Sequence, residues 1–229
     1  VIAGVGHGYD GREVVDVSGQ VVAPGFIDGH IHIESSMLGL PEFARLALTH
    51  GTTAVVADPH EIANVLGAKG VKYMLRASEG LPLDVFLTVP SCVPATDMES
   101  AGAKLSVLDI ERLLKLERVI GLGEMMNYPG VFFGDDGVLA KVLAATKRGR
   151  VADGLAPGLT GRFLQAYAAS GIGSDHECVG RDEARKIVKL IKESNPLPNV
   201  TGRVCPQEIQ CKGDCTHNER PIEIGQFEW

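Results

Sequence analysis

The chain has 229 residues, 45% apolar and 22% charged, with a formal net charge of -7 at pH 7. That length suits one large domain, or one domain with a small appendage, and allows a substantial core. The acidic balance and the scattered Lys and Arg argue against a nucleic-acid backbone as the main partner, and no apolar run approaches the roughly 20 residues needed to span a bilayer.

The first residue is Val1 and not Met, so the sequence is expected to be a fragment or a processed form. Its start lacks the basic, apolar and small-residue pattern of a signal peptide, which makes a cytoplasmic location the expectation. Of five cysteines, Cys205, Cys211 and Cys215 cluster near the C-terminus while Cys92 and Cys178 stand alone. An odd, clustered set reads as reduced thiols or metal ligands more than as a disulfide framework.

Residues 1–23 read as a small β segment, with REVVDVSG as a strand and turn. From there one unit recurs: a short apolar strand, a polar loop and an amphipathic helix. The strand at 20–32 precedes a helix at 41–51, with Gly51 where a helix C-cap is wanted. The strand at 52–58 precedes a helix through 70–80, again ending on Gly. The strand at 84–91 leads to a helix through 107–117, and Ser106 is placed to cap it. Further pairs are a strand at 119–125 with a helix through 136–149, and a strand at 150–157 with a helix at 160–171. The last pair is a strand at 172–177 with a helix through 181–194.

Six consecutive βα units imply a parallel sheet, because parallel neighbours need long crossovers. A doubly wound sheet and an eight-stranded barrel both place sites at the C-terminal strand ends. Those ends carry metal-type ligands and no glycine-rich phosphate loop, which favours an incomplete (β/α)8 barrel, over residues 24–185. From 186 to 229 the chain is rich in Pro, Gly, Asn and Cys and does not read as further βα units. A boundary is placed near 184–194.

In DGHIH, His30 and His32 stand at i and i+2 of a strand end, so alternation sends both imidazoles to one face. A lone pair of this kind also fits two polar strand-end histidines. GLGE ends the fourth strand on Glu124, and GSDHE brings His176 to the end of the sixth. Three histidines and a carboxylate at one barrel mouth suit a divalent ion with an open water position. Such an ion lowers the pKa of bound water to near neutrality. ADPHE places Asp58, His60 and Glu61 at the second strand end. Asp58-Pro59 reads as a turn and helix start with Glu61 on the helix dipole, while His60 or Glu61 could equally line a substrate pocket. Glu34, Ser35 and Ser36 beside the histidines carry the same two readings, loop cap or pocket wall. Met125 and Met126 read as gap-filling core.

The blocks APGFIDGHIHIESSM, HGTTAVVADPHEIANVLG, LPLDVFLTVPSCVPAT, VIGLGEMMNYPGV and GIGSDHE together resemble bacterial and archaeal adenine deaminases, over about residues 1–185. The resemblance implies a TIM-type amidohydrolase barrel that holds one or two divalent ions, manganese or iron with zinc as the alternative. It also implies hydrolysis of adenine with water to hypoxanthine and ammonia, as in purine salvage. Carried over by position, His30 and His32 would ligate from the first strand, Glu124 from the fourth and His176 from the sixth. Glu124 and His176 would also belong to the catalytic set, and Glu34, Ser35, His60 and Glu61 would border the substrate. Two departures stand out. The family reads DGHAPG where this chain reads DGLAPG, so Leu155 replaces the fifth-strand histidine. The eighth strand, which supplies a catalytic aspartate in the superfamily, has no counterpart here. Residues 1–190 are therefore not expected to close into a stable monomeric barrel, and the exposed edge favours a homo-oligomer.

The cysteines of the tail have the spacing C-x5-C-x3-C, which suits iron–sulfur or zinc binding, or three reduced loop cysteines. Residues 186–229 resemble part of the N-terminal iron–sulfur domain of glutamate synthase small subunits. That resemblance implies Cys205, Cys211 and Cys215 as ligands of a four-iron four-sulfur cluster, with Glu228 near the fourth position. The earlier cysteine-rich stretch and any GxGxxG fingerprint are missing, so electron transfer is not expected as the function. Two partial resemblances meeting in one chain also raise the expectation of a recombined reading frame. Three functions follow: a metal-dependent aminopurine deaminase, an iron–sulfur electron-transfer or subunit-docking fragment, and an inactive remnant.

Overall fold

The computed structural model describes residues 6, 8, 11–96 and 98–194. Five parallel strands form one sheet in the order β1-β2-β3-β4-β5. They are β1 (Phe26–Ile31), β2 (Thr52–Ala57), β3 (Asp84–Val89), β4 (Val119–Met125) and β5 (Val151–Gly154). Each strand pairs only with its sequence neighbours, so the sheet is an open half-barrel of the TIM type.

The connecting helices are α1 (Leu40–Thr49), α2 (His60–Leu66), α3 (Ala68–Ala77), α4 (Val107–Leu113), α5 (Tyr128–Phe133), α6 (Asp136–Thr146), α7 (Gly161–Ala169) and α8 (Arg181–Ser194). Local chemistry sets their ends. Gly51 follows α1 at φ 86°, a left-handed conformation costly for residues with a Cβ. Ser106 caps α4 as its position in the sequence suggests: its Oγ accepts from the Asp109 N–H, and Asp109 Oδ2 accepts from the Ser106 N–H at 3.1 Å. Asp135 Oδ1 caps α6 by accepting from the Val138 N–H at 2.9 Å. Asn127 caps the short α5 by accepting from the Gly130 N–H at 3.0 Å.

The core lies between the sheet and its helices. Val55, Leu87 and Leu122 from the strands meet Ile110, Leu113, Val142, Leu164 and Ile187 from the helices, all buried. The alternation of strand residues puts apolar side chains under the helices and leaves the strand ends to carry polar groups.

Two expectations are corrected. No strand forms among residues 11–25, where Val14, Val15 and Val21 are exposed. Three apolar side chains with no sheet to cover them cannot hold a strand in place. The segment 172–177 is not a sixth strand either. Its Gly173 N–H donates to Ala152 O at 2.9 Å, one ladder bond beside β5. Beyond that, side chains take over: Ser174 Oγ donates to Asp153, and the Glu177 N–H donates to Asp175 Oδ1. Short polar side chains that bond the nearby backbone compete with a ladder. The open edge at β1 agrees with the expectation of an unclosed barrel, and Phe26 on it is 68% exposed.

Candidate metal centre

The centre is assembled from the carboxyl ends of β1, β4 and β5 and from the segment after α7. His30 and His32 leave β1 on one face, and their Nε2 atoms stand 3.3 Å apart. β4 brings Glu124 beneath them, with Oε1 3.4 Å from His32 Nε2 and Oε2 3.7 Å from His30 Nε2. His176 enters from the other side, its Nε2 3.0 Å from Glu124 Oε2. Ligands about 2.0–2.1 Å from a tetrahedral ion lie roughly 3.4 Å from one another. The His30, His32 and Glu124 donor atoms have that spacing and could hold a metal.

The surrounding groups orient these donors. His32 Nδ1 lies 2.9 Å from Asp58 O, so an Nδ1–H donating to that carbonyl leaves the Nε2 lone pair facing Glu124. Asp58 is itself fully buried, and its Oδ2 accepts from the Glu124 N–H at 3.1 Å. A Cβ at residue 123 would collide with the Asp58 carboxylate, so Gly123 is what lets this aspartate pack against β4. Burial, and after it the charge of Glu124, pushes the Asp58 carboxyl well above the usual range.

Asp153 from β5 completes the cluster. Its Oδ2 lies 3.2 Å from His30 Nδ1 and 3.0 Å from His176 Nδ1. The sequence reading passed over Asp153 because it weighed only Leu155, two residues further along. Strand alternation was the available signal, since a residue two before an expected ligand points to the same mouth.

The charges support one another. Burial works against the Glu124 carboxylate, but hydrogen bonds from His176 and His32 outweigh it and hold its pKa at about 2. Burial likewise opposes charge on His176, yet Asp153 and Glu124 raise it to about 11. The Glu124 contact raises His32 to about 9 against the cost of burial. Burial also opposes charge on Asp153, and its contacts with His176 and His30 carry its pKa below the carboxylate range. In the absence of metal, protons take the place of the cation among these groups.

The other candidates lie to one side. Ser35 Oγ donates to Glu61 Oε1 at 2.8 Å, and Glu61 Oε2 stands 3.7 Å from His32 Nδ1. Glu34 Oε1 accepts from the Ile62 N–H at 3.3 Å, while its Oε2 is buried without a hydrogen-bond partner. Burial raises the Glu34 carboxyl and lowers the half-buried His60, whose Nδ1 also lacks a hydrogen-bond partner. Ser36 bonds its own turn through Ile33 O. Asp58-Pro59 starts α2, and Glu61 sits in its first turn, as the turn reading expects. Leu155 stands at the end of β5, its N–H donating to Tyr167 Oη at 2.9 Å. Cys205, Cys211, Cys215 and Glu228 lie outside the described residues.

A parallel half-barrel with imidazoles and carboxylates at its C-terminal strand ends has the architecture of an incomplete TIM-type barrel whose strand-end donors could hold a metal. The chain belongs to the amidohydrolase family, whose sequence profile matches residues 21–219. It is 51% identical over 205 residues to an adenine deaminase of Dehalococcoides mccartyi, covering 87% of this chain and 36% of that protein. It is 53% identical over 223 residues to an adenine deaminase of Nitratidesulfovibrio vulgaris, covering 94% of this chain and 39% of the relative. An adenine deaminase of Clostridium acetobutylicum is 44% identical over 226 residues, 96% of this chain and 38% of its own length. The chain thus spans little more than a third of the curated relatives it matches. Among the described residues no helix is long and apolar enough to cross a membrane.

Proposed function

We propose that the chain carries the metal-binding half of an adenine deaminase, which hydrolyses adenine with water to hypoxanthine and ammonia. The observation that carries this reading is the convergence of His30, His32 and His176 on Glu124. His30 and His32 from β1, Glu124 from β4 and His176 would hold the ion, and manganese or iron suits the set, with zinc as the alternative. When bound, the ion supplies Lewis acidity and makes water at the site more acidic. The chain's own residues do the rest. Glu124 accepts protons at the centre and fixes the imidazoles around it. His176, held between Glu124 and Asp153, would join the catalytic set as a ligand that fixes where the ion meets the substrate. Glu34, Ser35, His60 and Glu61 form the wall beside His32 where a purine would lie.

The test is adenine loss followed by ultraviolet absorbance with added manganese. Metal-dependent turnover is the expected result. A folded, metal-loaded chain that leaves adenine unchanged would end the activity reading and leave the metal centre standing. Leu155, which has no lone pair where the resemblance expects a histidine, favours this second reading of a remnant that binds metal without turnover.

We further propose the domain division at 1–23, 24–185 and 186–229, with the tail cysteines and Glu228 as iron–sulfur ligands. Anaerobic reconstitution that yields a brown protein supports the tail assignment, and a colourless product removes it. We also propose a cytoplasmic homo-oligomer that covers the β1 edge, for which sedimentation at micromolar concentration is the check.

A further inference from the structure

The two groups of donors that could hold a metal share His30. One is His30, His32 and Glu124; the other is His30, Asp153 and His176. The first meets His30 through Nε2 and the second through Nδ1. A neutral imidazole has one lone pair, because its other nitrogen carries the proton. His30 therefore cannot serve both groups as a neutral ligand, and the surroundings decide which nitrogen faces the ion.

Three contacts point the same way. His32 Nδ1 lies against Asp58 O, which can only accept, so the proton belongs on Nδ1 and the lone pair on Nε2. His30 and His176 stack with ring centroids 3.7 Å apart and planes 20° from parallel. The stacked rings present the same edges, both Nε2 atoms toward Glu124 and both Nδ1 atoms toward Asp153 Oδ2. The other oxygen of Asp153 is already engaged, since Ser174 Oγ donates to Oδ1 at 2.5 Å. That hydroxyl pins the carboxylate so that Oδ2 faces both rings.

We propose that Asp153 is a positioning residue: its Oδ2 accepts from the Nδ1–H groups of His30 and His176 and thereby keeps both Nε2 lone pairs facing the metal. It is not a ligand of a second ion. The proposal rests on the metal-centre reading above. Both contacts, 3.2 Å to His30 and 3.0 Å to His176, have hydrogen-bond length without the alignment of a full hydrogen bond, and each ring must turn into line when the metal binds. A carboxylate behind a metal-bound histidine fixes the tautomer and raises the basicity of the ligating nitrogen. Here one carboxylate does so for two histidines from different parts of the chain.

The test uses the full chain and zinc, a diamagnetic probe. Long-range proton–nitrogen NMR of histidine-labelled, zinc-loaded protein reads each tautomer. The expected result is a protonated Nδ1 and a zinc-bound Nε2 at both His30 and His176. Zinc bound through Nδ1 at either residue overturns the proposal. A competition titration then compares the unsubstituted chain with Asp153→Asn, which carries no charge and has one acceptor oxygen for either the two rings or the Ser174 hydroxyl. Zinc affinity should fall roughly 10–100-fold, and Ser174→Ala should lose less. Thermal unfolding of both variants checks that the fold persists. Equal affinity in Asp153→Asn removes the role of Asp153 while leaving the metal centre intact. An unsubstituted chain that binds no zinc overturns the centre and this inference together. A second zinc that disappears with Asp153→Asn shows Asp153 to be a ligand and overturns the proposal as well.

Discussion

The ends of β1 and β5 carry residues at the same spacing, with different results. β1 delivers His30 and His32 at i and i+2, and both imidazoles reach Glu124. β5 delivers Asp153 and Leu155 at i and i+2, and only Asp153 makes a polar side-chain contact there. Strand geometry aims side chains and does not choose their chemistry. One strand end is built to hold a cation directly, and the other supports histidines that come from elsewhere. Leu155 keeps its place through its backbone N–H on Tyr167 Oη, which any side chain at 155 would leave in place.

The sharpest way to break this comparison is at Glu124, the group the three histidines share. Glu124→Gln should abolish metal retention, because it removes the charge that balances the ion and leaves buried imidazoles facing a neutral amide. Metal analysis after desalting reads the result, and an unchanged metal content would sink the ligand assignment. Leu155→His is the converse experiment. It gives β5 the side-chain pattern of β1 and adds a lone pair at the mouth. Metal affinity should rise about tenfold or more, in line with the effect of one added ligand-strength interaction of about 1.4 kcal/mol. A variant that binds no better would mean that the β5 end lies out of ligand reach.

Much of this frame was legible before any coordinates. The βα rhythm, the capping role of Ser106 and the common face of His30 and His32 all depend on periodicities of a few residues, which a single sequence displays. An unclosed barrel follows from finding fewer than eight strands, although the sequence suggests six and the sheet has five. What stayed hidden depends on distant parts of the chain. The segment 172–177 looks apolar enough at Ile172 to begin a strand, but its Ser174 and Asp175 satisfy backbone and carboxylate groups instead. Strand alternation points Asp153 toward the mouth, but its role as a support shows only once His30 and His176, from distant parts of the chain, are stacked beside it. Asp58 reads as a turn residue in the sequence, and α2 does begin after it. Its burial against Glu124 appears only when β4 is laid beside it.

The charge balance of the centre predicts two opposite pH slopes. Without metal, Asp153 and Glu124, acting against burial, raise His176 to about 11, far above its ordinary value of about 6.5. The stabilisation from that charged histidine is complete below about pH 6.5 and is lost as pH climbs toward about 11. The Tm of the metal-free chain should therefore decline from pH 7 to pH 10. Metal must displace the same protons, so its affinity should rise over that range, by about tenfold per pH unit for each proton released. Calorimetry with and without metal separates the two slopes. Parallel slopes would mean that metal and protons do not compete for these histidines.

The smallest effect separates the frame from the centre. Ser106 lies at the start of α4, and its side chain bonds only Asp109, within the capping box. Ser106→Ala removes the hydroxyl that accepts from the Asp109 N–H and donates to the Asp109 carboxylate, at a cost of about 1 kcal/mol. For a chain of this size that is a drop in Tm of about 2–4 °C. α4 carries Ile110 and Leu113 into the core but sends no side chain to the metal centre. Metal affinity and its pH slope should stay where they are while Tm falls. A loss of affinity alongside Tm would show that the geometry of the β1 and β4 strand ends depends on how tightly the helices hold the open sheet.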